Sequence, residues 1–222
     1  MALTPRNTPT TIQMPFRRRR SFLSDVGQMA LHPRTFYLGL RQSPVWGMAA
    51  VIILALITLA EVQALNTTAP ATPVDTWAAA LVAIARVVFG WILLAILLSE
   101  VSLFNGESPQ LGLNWRVAVW ASLPLGFMAG LQMLYRSGGG VIGEPGLSGF
   151  LTELPFYATL PMLLQQILRA LAGNLTLFWL WHLVLLYLGA RHALNGRTWA
   201  ALLVVLMWII IVVMLPVVTN RV

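Results

Sequence analysis

Two apolar runs near the C-terminal end limit this chain more than any other feature. Leu175–Ala193 and Thr198–Val218 are joined by a short turn, and Arg191, His192 and Arg197 lie in or beside it. A bilayer's hydrocarbon is about 30 Å thick and a helix rises about 1.5 Å per residue, so roughly 20 apolar residues cross it. In lipid each backbone amide must pair inside its own segment, which makes both runs helices. The stretch is a transmembrane hairpin, and the rest of the chain repeats its logic.

Composition supports that reading. Of 222 residues, 58% are hydrophobic and 9% charged, against about 25% charged in soluble domains. A soluble fold of this size could not hide so much apolar surface. With no cysteine, disulfides, thiolate metal sites and cysteine nucleophiles are excluded.

Three further spans are expected at about 45–65, 77–104 and 115–135, giving five with 175–193 and 198–218. The fold class is an all-α polytopic helical bundle. Residues 1–20 read as an Arg-rich polar tail, with Arg17, Arg18, Arg19 and Arg20 as a membrane-surface anchor on anionic headgroups. No cleavable signal peptide is expected there. Residues 21–44 carry an apolar stripe (Phe22, Leu23, Val26, Met29, Ala30) ended by Pro33. They read as an amphipathic segment, lying on the membrane surface or packed on the end of the bundle. Residues 149–171, broken by Pro155 and Pro161, read as interfacial or re-entrant.

Arginine placement gives the orientation. With the N-terminus in the cytoplasm, that side holds the seven arginines before the first span plus Arg116, Arg191 and Arg197. The other side holds Arg136, Arg169 and Arg221, while Arg86 lies inside a span. The excess predicts a cytoplasmic N-terminus and an external C-terminus. Trp46, Trp77, Trp115 and Tyr135 fall where spans meet headgroups, as an aromatic belt requires.

Few residues invite a chemical reading. Ser122, Gly126 and Gly130 recur every four positions and make one flat helix face, the pattern that lets helices approach closely in lipid. Arg86 and His182 form a candidate intramembrane polar site for an anionic ligand or a proton path. The alternatives are a snorkelling Arg86 and a neutral His182 bonded to a neighbouring helix. Gly138, Gly140 and Gly143 match G-x-G-x-x-G but lack the strand–helix setting of a dinucleotide site. Gly146–Gly149 reads G-x-S-G around Ser148, the serine motif of rhomboid proteases, yet His182 is followed by Leu183 and Val184 instead of a glycine-rich packing face. No catalytic residue, cofactor or metal site is expected, and no nucleic-acid partner.

Four segments together resemble the bacterial branch of the Yip family of Ypt/Rab-interacting membrane proteins. They are DVGQMALHPRTFYLGLRQSPVWGMAA (25–50), NWRVAVWASLPLGFMAGLQMLY (114–135), PGLSGF (145–150) and LFWLWHLVLLYLGARHALNGRTWAALLVVLMW (177–208). The resemblance implies a five-span bundle with a cytoplasmic N-terminus and a non-enzymatic role as membrane organiser or partner-binding scaffold. Eukaryotic relatives are linked to Rab GTPases and vesicle traffic, but no GTPase-binding motif maps onto this chain. The implied location is the bacterial inner membrane, with the bilayer, other membrane proteins or a second copy as partners. The alternatives are an accessory subunit of a larger membrane complex and a small permease using Arg86 and His182.

Overall fold

The computed structural model describes residues 21–40, 46–68 and 73–219. The Arg17–Arg20 anchor lies outside them. Every regular element among the described residues is helical. In chain order they are α1 (Phe22–Leu31), α2 (Pro33–Gly39), α3 (Trp46–Thr68), α4 (Pro73–Phe104), α5 (Leu111–Ala121), α6 (Leu123–Ser137), α7 (Ser148–Thr152), α8 (Met162–Asn174), α9 (Leu177–Leu188) and α10 (Thr198–Val218). A single π turn, Gly189–Ala193, extends α9.

Four helical segments are long and apolar enough to cross a membrane: Trp46–Asn66, Asp75–Phe104, Leu111–Ser137 and Thr198–Val218. The third joins α5 and α6. Pro124 removes one N–H from its ladder, and at the joint the Ser122 amide bonds both Ala118 O and Val119 O while its hydroxyl donates to Ala118 O at 2.9 Å. A fifth crossing is reached only when Met162–Asn174 and Leu177–Ala193, bent by 83° at their joint, count together as one broken span. Cross-links at the two ends fix an up-and-down order. At one end Asn105 Nδ2 donates to Asn195 O and Arg116 to Leu40 O. At the other, Gln63 Nε2 donates to Ser137 Oγ. The first is called the inner end, following the arginine count.

The spans lie close to those read from the sequence, with α3 and α4 each running a few residues further at one or both ends. For the amphipathic segment the structure takes the second of the two readings. Met29, Phe36, Tyr37 and Leu40 have at most 1% of their surface exposed, so α1 and α2 are docked on the bundle and are not afloat on lipid. Trp120 of α5 is the anchor, with Phe36 edge-on to its indole at 4.9 Å and Phe22 stacked at 6.0 Å. Burial pushes the Tyr37 phenol up. Among the described residues its hydroxyl has no hydrogen-bond partner, and its ring lies against Gly189. A Cβ on Gly189 would stand 2.4 Å from Val117 Cγ1 and 3.2 Å from Tyr37 Cε1. Only glycine permits that junction of α2, α5 and α9.

At the outer end, α8 packs on the last turns of α10 through Ile167, Ala170 and Leu171 against Ile209, Val213 and Val217. Residues 149–174 thus form α7, a short 3-10 turn and α8.

A chamber in the outer half of the bundle

Between α3, α4, α6, α9 and α10 lies a chamber of about 720 Å³. That volume falls in the range of small-ligand pockets, roughly 300–1,000 Å³. Its lining is mostly apolar, with a few polar groups that converge from different helices.

His182 sits in its wall, fully buried. The Nδ1–H donates to Ala121 O at 2.7 Å, and Nε2 accepts from the Trp208 indole N–H at 2.9 Å. A carbonyl can only accept and an indole N–H can only donate, so the partners select the neutral Nδ1–H tautomer. The imidazole ties α9 to α5 and α10. It has no capacity left for a proton path without breaking one of those bonds.

Arg86 of α4 also lines the chamber, and it is not a lone cation. Its guanidinium is ion-paired with Glu61 of α3, which lines the chamber too. Counted from the facing helix ends, Arg86 lies about 20 Å along α4 and Glu61 only about 10 Å back along α3. The arginine stem spans the difference by reaching outward, as snorkelling side chains do. The sequence reading offered snorkelling to headgroups; in the fold the outward-reaching arginine is exposed and ion-paired with Glu61. A carboxylate partner lowers the cost of an arginine in hydrocarbon, at least about 2.5 kcal/mol when alone.

Two more charged groups stand toward the outer end. Arg136 donates to Ala60 O at 2.9 Å, and Glu144 pairs with Arg169 of α8 at 3.1 Å. Both Arg136 and Glu144 line the chamber. The roof is the loop through Glu144–Gly146 and the α8–α9 joint. There Leu147 N donates to Ala172 O at 2.8 Å. Gly146 holds φ +59, and a Cβ on it would meet Ala172 O at 2.4 Å, so the roof joint needs glycine.

The structure thus brings Arg86 and His182 to one chamber. It places the other candidates elsewhere. Gly126 faces α3, where a Cβ would lie 3.3 Å from Ile53 Cγ1 and 3.4 Å from Ile53 Cα, and Gly130 faces Leu56 at 3.4 Å. This face packs inside the chain. Ser122 lines the chamber instead, its hydroxyl used by its own helix. Ser148 donates to Pro145 O at 2.7 Å; among the described residues no hydrogen bond joins it to a histidine. No group of three or more metal-ligating side chains occurs among the described residues.

Sequence reasoning missed Glu61, Arg136, Trp91 and Trp208 as chamber residues. Glu61 carried a usable signal: it is an acidic residue inside a span next in order to the one holding Arg86. The tryptophans carried none, because aromatic residues are common throughout these spans.

Fold and site define a class: a polytopic α-helical membrane protein with a polar-studded chamber in one half of its bundle. Comparison with protein-family models, with curated proteins and with solved structures finds no match.

Proposed function

We propose that the protein is a non-enzymatic, multi-pass membrane protein that binds a small ligand in this chamber, a permease in its simplest form. The observation that supports this most is the joining of Arg86 and His182 in a single cavity roofed by outer-end loops. The inner half below it is filled with side chains, so the chamber does not run through the bundle. Glu61–Arg86 supplies charge of both signs, and the apolar walls supply the bulk of the contact.

The test is thermal unfolding of the purified protein in lipid nanodiscs against a panel of carboxylates, phosphates, amines and lipids. At least one member should raise the unfolding temperature by several degrees. At this chain length each kcal/mol is worth about 2–4 °C. The Arg86→Leu variant should lose that shift, and in liposomes it should lose uptake of the same compound. A panel that leaves the protein unmoved, or moves both forms alike, would reject the reading.

A second reading, the Yip-like organiser or accessory subunit, is favoured by the inner end. There α1 and α2 form a fixed platform whose outward side exposes Leu23, Leu31 and Leu38. We infer placement in a cell membrane, the bacterial inner membrane if the family resemblance holds. A partner recovered at fixed stoichiometry in mild detergent, and lost on Leu31→Asp, supports this reading; a solitary protein argues against it.

A further inference from the structure

The lining carries two carboxylates and two guanidiniums, but they do not all pair with one another. Both carboxylates on its lining are paired, Glu61 with Arg86 and Glu144 with Arg169. Arg136 has no such partner among the described residues, and its guanidinium donates to a backbone carbonyl, Ala60 O. Because Glu144 is engaged by Arg169, which lies off the lining, Arg136 is the lining cation left without a carboxylate, at the outer end of α6. A second unmet group lies on the α4 wall. Trp91 lines the chamber with 3% of its surface exposed, and its indole N–H has no acceptor.

The shape of the opening adds a direction. Phe89 of α4 and Leu215 of α10 both line the chamber, yet each is about half exposed. Residues that are at once lining and exposed mark a mouth. Phe89 lies about 20 Å along the apolar segment that starts at Asp75, well inside the hydrocarbon. The mouth between α4 and α10 therefore faces lipid, not water.

Resting on the chamber reading, we propose that the ligand is a membrane lipid with an anionic phosphate headgroup. It enters between α4 and α10 from the outer leaflet. Arg136 takes the headgroup phosphate by charge-assisted hydrogen bonds, and the acyl chains lie along Phe89, Leu93, Ile211 and Leu215.

The experiment uses the full chain, stripped of lipid in a neutral detergent. Three probes are titrated: phosphatidylglycerol, phosphatidylcholine and inorganic phosphate. The readout is tryptophan fluorescence, since Trp91, Trp179 and Trp208 all line the chamber. Phosphatidylglycerol should bind at least tenfold tighter than phosphatidylcholine, and inorganic phosphate should not compete. Arg136→Gln should remove the tenfold preference. Arg34→Gln, an equal loss of charge on exposed α2 at the other end, should keep it. Ile211→Trp, which fills the mouth, should weaken both lipids whether or not Arg136→Gln folds. Equal affinity for the two lipids, competition by inorganic phosphate, or an unchanged preference in Arg136→Gln overturns the lipid assignment. If a different compound binds in an Arg86-dependent way, the chamber reading stands and the lipid falls; if nothing binds, both fall.

Discussion

The two halves of the bundle are made of the same helices and solve packing in opposite ways. In the inner half the chain fills its own interior. Trp120, Phe36, Tyr37, Leu40, Leu98 and Leu186 are buried to 1% exposure or less, and they come from α1–α2 as well as from the spans. In the outer half the helices have no such insert. Small residues (Ala60, Gly90, Ala129) face the interior, and polar groups stand among them. Protein interiors are normally close-packed, with few voids larger than a water molecule. A chamber of about 720 Å³ beside a filled core is therefore a local departure. The difference teaches where stability resides: the inner half holds the fold, and the outer half leaves the space that the proposed ligand would fill.

The strongest way to break this comparison is Trp120→Ala. It removes the indole on which α1 and α2 both rest, and such losses cost about 3–5 kcal/mol. Thermal unfolding in detergent should fall by some 10 °C, and protease should reach α1–α2 first. The matching change in the outer half, Phe89→Ala, should cost under about 1 kcal/mol because that side chain is half exposed already. Equal losses at the two sites would erase the distinction.

A second test separates the pair Glu61–Arg86 from its members. Glu61→Leu leaves an arginine in hydrocarbon with no carboxylate, at about 2.5–3.5 kcal/mol on insertion scales. Removing both, Glu61→Leu with Arg86→Leu, should return most of that stability. Apolar replacement of an ion pair is often neutral or better. A double variant as unstable as Glu61→Leu alone would show that the helices themselves need the charges. Recovery of stability without recovery of ligand binding would sharpen the chamber's role.

The spans were legible because lipid imposes one rule, a helix of sufficient apolar length. Thr198–Val218 could be copied from hydropathy and stands unchanged in the structure. What hydropathy does not carry is rotation about each helix axis. That is why Glu61 and Arg86 were read apart although α3 and α4 bring them together. The docking of α1–α2 was open for a related reason. Its apolar stripe suits lipid and protein equally, and only Trp120 and Gly189, far along the chain, offer the groove that takes it. Gly126 and Gly130 gave the closest agreement between pattern and geometry. The four-residue spacing predicted a face flat enough for close approach, and α3 lies against it. The chamber had no sequence signature, since a void is defined by what four or five helices fail to contribute.

That glycine face supplies a third test, smaller in effect. In Gly126→Leu the added Cβ starts 3.4 Å from Ile53 Cα, a backbone atom that cannot swing aside. The rest of the leucine then has to push α3 from α6, at about 1–3 kcal/mol for overpacking. The chain lacks cysteine, so single cysteines placed in α3 and α6 report their separation without background. Cross-linking across the pair should drop in Gly126→Leu while cross-links within the inner half persist. Unchanged cross-linking would mean that the flat face is not what holds α3 to α6.

The smallest expected effect is Trp208→Phe, and it is the most local. The ring's bulk largely remains; what goes is one N–H, and with it the donor to His182 Nε2. An acceptor left dry costs about 1–3 kcal/mol, toward the low end here because the chamber beside His182 can admit a water. His182 would keep its bond to Ala121 O and so its tautomer. If the histidine is a strut between α5, α9 and α10, the variant should lose a few degrees of thermal stability and bind ligand as before. Abolished binding with unchanged stability would move His182 from the wall of the chamber to its working surface, and the boundary between the two halves would shift inward by one turn.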